Sequence, residues 1–203
     1  MKRTEVSRAT IGRIPVYLKY LKGTDHYTEN ISATILANKL GLGEVQVRKD
    51  LAAVSGAGRP KVGYVTEELA AHLATYLRAH TANTAVLVGA GRLGQALLGY
   101  GGFAEYALTV SAAFDTDPAK CTGGVLPLSD FPAFCAREHP AIGIITVPEG
   151  EAEAVFRLMT ENGIRAVWNF SRCRLRPPEG VLVRNEDLAS SLAALSGQLN
   201  QIG

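Results

Sequence analysis

A glycine-rich turn, Gly89-Ala90-Gly91-Arg92-Leu93-Gly94, constrains the fold of this chain more than any other segment. The apolar run Thr84–Val88 leads into the turn, and a helical pattern over residues 93–100 follows it. In such a strand–turn–helix unit the first glycine permits the tight turn, the second lets a pyrophosphate approach the backbone, and the third lets helix and strand pack closely. The turn therefore predicts a dinucleotide-binding unit of a doubly wound α/β sheet.

Short apolar runs continue to alternate with helical patterns after this turn. The other candidate strands are residues 108–114, 143–147, 166–169 and 181–183, and the candidate helices are residues 131–138 and 151–162. Such alternation is typical of a parallel sheet with helices on both faces, a Rossmann-like architecture. A last helix over residues 187–200 carries a leucine stripe, which we expect to pack on its own domain or on a partner subunit. The stripe consists of Leu188, Leu192, Leu195 and Leu199.

Asp115 supports the nucleotide interpretation of the glycine turn. It lies 21 residues beyond Gly94, at the end of the second candidate strand, where an acidic side chain bonds the ribose hydroxyls. A carboxylate there repels a 2′-phosphate, and residues 116–118 supply no cation to accommodate one. NAD(H) is therefore favoured over NADP(H). Two alternatives stay open, namely a structural glycine turn that binds nothing and a site for another adenine nucleotide such as coenzyme A.

The first 80 residues have a helical pattern instead. Four apolar residues at helical spacing predict the buried stripe of a first helix over residues 7–21. They are Ile11, Ile14, Leu18 and Leu21. Pro15 lies inside this pattern and is expected to kink the helix or to mark its first turn. Ser32 is a suitable N-cap for a second helix that ends at Leu40.

A short glycine turn over residues 41–43 leads to a third helix, residues 44–54. Its apolar residues are spaced for burial, whereas Gln46, Arg48 and Lys49 are left outside. The loop that follows, residues 56–64, carries Arg59 and Lys61 at its tip. Helix, tight turn, helix with an exposed basic and amide face, and then a basic hairpin is the pattern of a winged helix-turn-helix domain. A fourth helix is predicted over residues 67–79.

The distribution of charge agrees with a polyanionic partner for this part of the chain. The net charge of +2 conceals 12 Lys and Arg against 7 Asp and Glu in residues 1–80, and 9 against 12 in residues 81–203. The basic excess is therefore confined to the N-terminal part, as expected for DNA binding there. An ordinary solvated surface is the alternative explanation of the charge alone.

Several classes of protein are disfavoured by what the sequence lacks. Cys121, Cys135 and Cys173 form no C-x-x-C pair, so reduced thiols in a cytoplasm are expected, and a thiol redox role stays open. No apolar run is long enough to cross a bilayer, and no histidines have metal-ligand spacing. After Asp115 the chain completes only the nucleotide fold, which argues against a dehydrogenase. We therefore expect a cytoplasmic protein without enzymatic activity, metal or membrane contact.

Taken together, the ordered motifs resemble, nearly end to end, the Rex family of bacterial redox-sensing transcriptional repressors. The matching segments are Ser7-x-x-Thr10-Ile11-x-Arg13-x-Pro15-x-Tyr17, residues 46–51, Val62-Gly63-Tyr64, the glycine turn, Tyr100-x-Gly102-Phe103, Phe114-Asp115-x-Asp117-Pro118, Thr146-Val147-Pro148, Asn169-Phe170 and Asn185-x-Asp187-Leu188. The resemblance implies a homodimer that binds a palindromic operator in double-stranded DNA and releases it when NADH binds. NAD+ would compete for the same site, so the protein would report the NADH/NAD+ ratio.

The resemblance also implies roles for individual residues. Those expected at the cofactor are Gly89, Ala90, Gly91, Arg92, Leu93, Gly94, Asp115, Lys120, Thr146 and Val147, with Tyr100, Phe103, Pro148, Asn169 and Phe170 at the nicotinamide end. Those expected at DNA are Ser7, Arg8, Gln46, Arg48, Lys49, Arg59 and Lys61. Arg13 and Asp187 would form an interdomain switch, and the last helix would be exchanged between subunits. Two unrelated surface charges are the alternative for that pair.

The chain departs from the family pattern at four positions. Gly43 replaces a Ser or Thr before the third helix, and Pro60 interrupts a basic–basic–Gly wing. Arg172 lies where a proline follows the Asn-Phe pair, and Gly197 replaces an aromatic residue of the last helix. These changes put contacts of the wing, and of the exchanged helix, in question.

The predicted organisation has three parts. Residues 1–80 form the winged-helix domain, residues 81–186 the NAD(H)-binding domain and residues 187–203 the dimerisation helix. Two rival functions remain, each separable by experiment. One is a nucleotide-binding enzyme that uses NAD or coenzyme A, and the other is a DNA-binding module whose cofactor domain no longer functions.

Overall fold

The computed structural model describes residues 6–23, 29–80 and 84–199, and the chain divides into two compact units, Met1–Thr81 and Ala82–Gly203. In its described residues the first unit has four helices and one two-stranded sheet. Its elements are α1 (Arg8–Lys22), β1 (Asn30–Ile31), α2 (Ala33–Leu40), α3 (Glu44–Ser55), β2 (Tyr64–Val65) and α4 (Thr66–His80). The predicted boundary after residue 80 adjoins residues 81–83, which lie outside the described residues.

Side-chain caps define where the first helices begin. The hydroxyl of Ser7 accepts from the backbone N–H of Thr10 at 3.1 Å, and that of Ser32 accepts from Ile35 at 3.1 Å. Gly41 ends α2 in the left-handed region at φ 64°, where glycine adopts the conformation without a Cβ penalty. The predicted second helix is confirmed at both ends, and α3 extends one residue beyond its predicted end.

The buried face of α1 differs from the predicted stripe. Ile11 is 36% exposed, whereas Thr10 and Tyr17 are buried together with Ile14, so the prediction that Ile11 faces inward was wrong. The helix is rotated because its polar side chains reach a buried carboxylate on α3. Pro15 lies in the interior of α1, which continues without interruption from Arg8 to Lys22.

That carboxylate belongs to Asp50, and it fastens α1 to α3. Asp50 is only 4% exposed and accepts hydrogen bonds from Thr10 Oγ1 at 2.8 Å and Tyr17 Oη at 2.7 Å. Arg13 adds a two-pronged ion pair, with Nε 2.7 Å from Oδ2 and Nη2 2.9 Å from Oδ1. Three side chains from successive turns of one helix therefore converge on one acid of the other.

A short antiparallel pair and a tight turn form the wing. Asn30 pairs with Val65, and Ile31 with Tyr64. A Cβ on Gly63 would overlap the carbonyl oxygen of Ile31, so this position needs glycine. The sequence did not reveal β1 and β2, because two-residue strands carry no alternating pattern.

The second unit contains one parallel six-stranded sheet with strand order β5-β4-β3-β6-β7-β8. Its strands and helices are β3 (Thr84–Val88), α5 (Arg92–Leu98), β4 (Thr109–Asp115), β5 (Val125–Pro127), α6 (Phe131–Glu138), β6 (Ile142–Ile145), α7 (Glu149–Glu161), β7 (Ala166–Asn169), β8 (Leu182–Asn185) and α8 (Leu188–Leu199). Short 3-10 helices lie at Gly101–Tyr106, Pro118–Lys120 and Leu128–Asp130. The doubly wound α/β fold predicted from the sequence is confirmed.

The predicted elements agree with the structure except at a few boundaries. The helix after the glycine turn ends at Leu98 rather than at residue 100, and a 3-10 helix replaces its end. The edge strand β5 was missed because it has three residues and follows Gly123-Gly124. The last helix begins at Leu188, and its predicted end at Asn200 lies outside the described residues.

The topology places a switch point beside the glycine turn. The chain runs outward from β3 through β4 to β5 and then returns to form β6 on the other side of β3. Ligands of open parallel sheets bind at the carboxyl ends of the two strands where the direction reverses. Here those ends are Val88 and Ile145, so the glycine turn and Thr146 lie at the switch point.

Apolar side chains cover the two sheet faces differently. One cluster joins Val86, Val88 and Phe114 of the sheet to residues of α6 and α7, such as Phe131 and Met159. The opposite cluster, around Leu87 and Ile144, is smaller and is bordered by half-buried side chains such as Trp168 and Phe170. The leucines of α8 pack into neither cluster and are 63–68% exposed.

The Asp50 anchor predicts acid sensitivity of the first unit. Burial opposes ionisation, but Arg13, Tyr17 and Thr10 together lower the pKa of Asp50 below its ordinary value. A lowered folded-state pKa stabilises the fold above the ordinary value, about 4, and that stabilisation is lost as the pH falls through the folded-state value. We expect Asp50→Asn to destabilise the first unit by about 3–5 kcal/mol at neutral pH and to reduce its loss of stability in acid.

Thermal unfolding at pH 7 and at pH 3.5 measures both effects. Asp130→Asn is the matched control, because this carboxylate is exposed. An Asp50→Asn protein as stable at pH 7 as the unmodified chain would contradict the anchor.

Candidate functional site

A cleft of about 380 Å³ lies at the carboxyl ends of β3, β4 and β6. It brings together residues that are far apart in the sequence. The lining consists of Val88, Gly89, Gly91, Asp115, Thr116, Lys120, Leu128, Thr146, Val147, Pro148, Glu151 and Val155. Seven of the predicted cofactor residues are among them, namely Gly89, Gly91, Asp115, Lys120, Thr146, Val147 and Pro148.

Each glycine of the turn has a different steric role. Gly89 has φ 105°, and a Cβ there would meet the backbone of Val147 at 2.9 Å. A Cβ on Gly94 would overlap the carbonyl oxygen of Gly89, so α5 approaches β3 only because Gly94 has no side chain. Around Gly91, by contrast, no atom of the described residues beyond its chain neighbours lies within 4 Å of a Cβ. The space above Gly91 is therefore open, as a bound pyrophosphate would require.

Thr146 joins the end of β6 to the turn. Its hydroxyl donates to the carbonyl oxygen of Gly89 at 2.6 Å and lies 3.2 Å from that of Val88. At the other side Gly91 is the N-cap of α5 and contributes no side-chain cap, so the first-turn N–H groups depend on another acceptor. A phosphate group supplies such an acceptor.

Asp115 holds the turn against β4. It is 6% exposed, and its Oδ2 accepts from the backbone N–H of Ala90 at 2.7 Å while Oδ1 accepts from that of Asp117 at 2.8 Å. Burial opposes its ionisation, but these N–H groups and Lys120 lower its pKa, so the carboxylate is charged at neutral pH. Each carboxylate oxygen has two acceptor positions, and Oδ2 keeps one for a ribose hydroxyl.

The charges around Asp115 favour a ribose over a ribose phosphate. Lys120 Nζ lies 3.4 Å from Asp115 and 3.7 Å from Asp117, so one cation is shared by two carboxylates. The local net charge is negative and would repel a 2′-phosphate. The residues of this cleft therefore fit an adenine dinucleotide without a 2′-phosphate, such as NAD(H).

The remaining residues of the turn act through the backbone or lie on its outside. Ala90 is buried and provides the N–H that Asp115 binds. Arg92 and Leu93 begin α5 and are both exposed, with Leu93 36% exposed. Their side chains do not line the cleft itself.

Aromatic side chains form a row beside the sheet. Tyr100 contacts Phe103 edge to face at 5.1 Å between ring centroids, and Phe103 lies 6.2 Å from Trp168. Trp168 in turn lies 4.5 Å from Phe170. The structure thus connects three of the predicted nicotinamide residues and adds Trp168, which the sequence analysis missed. Its Nε1 donates to Glu186 at 2.9 Å.

The side chain of Asn169 is enclosed and hydrogen-bonded within the protein. The residue is fully buried, and its Nδ2 donates to the carbonyl oxygen of Cys173 at 2.7 Å and to Asn185 Oδ1 at 2.9 Å. Its Oδ1 accepts from both the backbone N–H and the hydroxyl of Ser171. These bonds occupy its amide in shaping the loop after β7, and the predicted cofactor contact of Asn169 stays a prediction.

The predicted DNA-contacting side chains of α3 lie on its exposed face. Gln46, Arg48 and Lys49 are exposed, whereas Val47 and Leu51 of the same helix are buried. Arg48 forms an i, i+4 ion pair with Glu44. Two further predicted residues lie at the start of α1, where Ser7 is the N-cap and Arg8 is exposed.

The wing presents the remaining two predicted cations. The backbone N–H of Arg59 donates to Gly63 at 2.7 Å, and the Arg59 carbonyl oxygen accepts from Val62 at 3.2 Å. Pro60 and Lys61 occupy the corner, and Lys61 has φ 64°, a conformation that glycine usually supplies in such turns. Pro60 therefore shapes the corner, and both Arg59 and Lys61 stay exposed.

The structure gives both members of the predicted switch pair other roles. Arg13 is bound to Asp50 within the first unit. Asp187 caps α8, with Oδ1 accepting from the backbone N–H of Ser190 at 2.8 Å. Arg13 has a carboxylate partner within its own unit, and its pairing with Asp187 stays a prediction. Asp50 was missed as a functional residue because its partners are 33–40 residues away.

Across residues 6–23, 29–80 and 84–199, no group of three metal-ligating side chains comes together. In the same ranges, helices fall short of the length and apolarity that a bilayer crossing requires. The three cysteines are free thiols, and Cys135 is buried.

Comparison with known proteins agrees with this division of the chain. Residues 5–52 match the family model described as "Putative DNA-binding protein N-terminus", and residues 80–173 match that described as "CoA binding domain". The redox-sensing transcriptional repressor Rex of Treponema denticola is 36% identical over 94% of both chains. That of Porphyromonas gingivalis is 35% identical over 98% of this chain and 94% of its own.

Solved structures show the same relationship. The Rex-family repressor RSP in complex with NAD+ and operator DNA is 32% identical, with a TM-score of 0.83, and the match covers 98% of this chain and 94% of RSP. RSP in complex with NADH gives a TM-score of 0.82 at 31% identity, covering 98% and 96%. The fold and the site thus define a DNA-binding protein with a dinucleotide-binding sheet. The chain belongs to the Rex family of redox-sensing transcriptional repressors, which confirms the resemblance seen in the sequence.

The two glycines of the turn give a matched test of the cleft. We expect Gly94→Ala to destabilise the second unit by about 1–3 kcal/mol, because the new Cβ overlaps the carbonyl oxygen of Gly89. Gly91→Ala should leave stability within about 0.5 kcal/mol, because the space around it is open, yet weaken NADH binding at least tenfold. Thermal unfolding and NADH fluorescence titration measure the two effects. Unchanged NADH affinity in Gly91→Ala would place the cofactor elsewhere.

Proposed function

We propose that this chain is a repressor that binds a palindromic operator through the first unit and is released when NADH occupies the cleft of the second. NAD+ would compete for the same cleft without producing the release. The observation that carries the proposal is the open space at Gly91 beside the charged, buried Asp115, in a chain that also exposes a basic helix face. RSP, which has this fold, has been crystallised with each of these ligands.

The first unit is suited to reading DNA. Its helix α3 exposes one amide and two cations on a single face, which is the composition used for base edges and phosphates in the major groove. The wing cations Arg59 and Lys61 are placed to meet phosphates at a groove edge. A palindromic operator requires two such units related by a two-fold axis.

The leucine face of α8 supports a homodimer. Leu188, Leu192, Leu195 and Leu199 are each 63–68% exposed, an arrangement that an isolated helix in water does not favour. A second copy would cover this face, and exchange of α8 between subunits is the arrangement that the family resemblance implies. Gly197 lies nine residues after Leu188, half a turn from the leucine stripe, so its lack of a side chain spares the covered face.

We propose that the protein senses NADH without catalysing a reaction. Hydride transfer needs a second substrate and an acid–base side chain beside the reacting carbon. His72 and His139 are exposed and do not line the cleft. The cleft therefore provides for binding and orientation of the cofactor. A cytoplasmic location follows from the proposed role at bacterial DNA.

Asp115→Ala tests the cofactor part of this function. We expect its NADH affinity to fall at least tenfold, because both the anchor of Ala90 and the acceptor for a ribose hydroxyl are lost. Operator affinity without nucleotide should stay within about twofold, since the substitution lies outside the first unit. Fluorescence titration and electrophoretic mobility shifts measure the two. An operator complex that does not respond to NADH in either protein would support the rival with a non-functional cofactor domain.

The dimer has its own test. Leu192→Glu with Leu195→Glu should convert the dimer to a monomer, because two charges replace the apolar face, and operator affinity should fall at least tenfold. Ser190→Glu is the matched control on the opposite side of α8 and should stay dimeric. Sedimentation equilibrium reports the state of each protein. A chain that is monomeric without any substitution would refute the two-fold arrangement.

A further inference from the structure

Gln46 is the exposed amide of α3, and Arg13 determines which way the amide faces. Arg13 Nη1 lies 2.8 Å from the Gln46 atom turned toward it, with Nε at 3.1 Å and Nη2 at 3.2 Å. A guanidinium group donates hydrogen bonds and accepts none, so that atom must be the carbonyl oxygen. The NH2 group of Gln46 is then directed away from Arg13.

Arg13 is not free to release this oxygen. Its Nε and Nη2 are 2.7 Å and 2.9 Å from the two oxygens of Asp50, which is 4% exposed. Arg13 itself is 21% exposed, so most of the pair is shielded from water. Removal of the guanidinium from Asp50 would leave a buried charge unpaired, which is strongly destabilising. The order of contacts is therefore Asp50 to Arg13 to Gln46, with each member fixing the next.

We propose that Gln46 reads its base as a hydrogen-bond donor only, and that Arg13 and Asp50 are positioning residues for this reading. The inference rests on the proposed function. A glutamine with both ends free pairs bidentately with adenine, donating to N7 and accepting from the N6 amino group. Because three nitrogens of Arg13 surround the oxygen of Gln46, both acceptor positions of that oxygen are engaged, and the side chain offers only N–H donors. Guanine presents two acceptors, N7 and O6, and no donor in the major groove, whereas thymine presents a single acceptor, O4. Guanine is therefore the base that two N–H donors match best.

Base analogues that lack one atom test this reading. The full chain, free of NADH, first selects an operator from a random duplex pool. Each guanine of a half-site is then replaced by 7-deazaguanine, which lacks N7, or by 2-aminopurine, which lacks O6. Each adenine is replaced by purine, which lacks the N6 amino group. Fluorescence anisotropy gives the affinity of each duplex for the unmodified chain and for Gln46→Ala.

We expect the effect of Gln46→Ala on operator affinity to depend on an acceptor atom of one guanine, which is the coupling that the experiment measures. Removal of N7 or O6 at one guanine should lower the operator affinity of the unmodified chain about 5-fold to 30-fold. The same removal should not lower the operator affinity of Gln46→Ala further. Removal of the N6 amino groups of adenine should lower the operator affinity of both proteins by the same factor. Coupling of Gln46→Ala to an N6 amino group would overturn the inference, because the oxygen of Gln46 would then be reading adenine. A chain that selects no operator would instead refute the proposed function.

Two substitutions at Asp50 partners separate positioning from stability. Tyr17→Phe removes a hydrogen bond to Asp50 but leaves Arg13 beside Gln46, so the coupling to guanine should persist. Arg13→Lys replaces the planar fork by a single ammonium, so the coupling should fall below about twofold. Equal coupling in all three proteins would refute the positioning role of Arg13.

Gln46→Glu keeps the test decisive even if Arg13→Lys does not fold. One carboxylate oxygen would face Arg13, so the thermal midpoint should be no lower than that of the unmodified chain. The other oxygen would replace the outward NH2 group, so operator affinity should fall further than in Gln46→Ala and lose its dependence on guanine N7 and O6. Retention of that dependence in Gln46→Glu would overturn donor-only reading.

Discussion

Two buried carboxylates hold the functional surfaces of this protein in place, and the account depends on their remaining charged and bonded. Asp115 binds the N–H of Ala90 and thereby fixes the glycine turn to the end of β4. Asp50 binds three side chains of α1 and thereby fixes the helix proposed to read DNA. In both cases, burial would oppose ionisation, and hydrogen-bond donors reverse that effect. Each acid acts through a segment that it positions as much as through contacts of its own.

The two units provide two functional surfaces without a large substrate domain. At the switch point, the close approach of Gly89, Gly94 and Thr146 brings three strand ends around one cleft. This leaves the open space beside Gly91 as the place where a ligand can add contacts. In the first unit, four helices and a two-stranded sheet leave one face of α3 and the wing corner exposed. A regulatory protein needs only these two surfaces and a way to couple them.

Much of the nucleotide site was predictable because its signals are local. The glycine spacing and Asp115 follow one another along a single strand–turn–helix–strand unit, so sequence distance translates directly into geometry. The Asp50 anchor was not predictable in this way, since its partners are 33–40 residues away and the residue reads as one polar position of an exposed helix. Asn169 shows the converse. The family pattern marked it as a cofactor residue, but its four internal hydrogen bonds become visible only with the fold.

If NADH and operator DNA oppose each other's binding to this protein, each must weaken the binding of the other by the same factor. Calorimetric titration of the full chain with NADH, in the absence and presence of saturating operator, gives two dissociation constants. NADH should bind the DNA complex more weakly than the free protein, by about 5-fold to 150-fold, and operator affinity should fall by an equal factor at saturating NADH. Identical NADH affinities in the two titrations would contradict it.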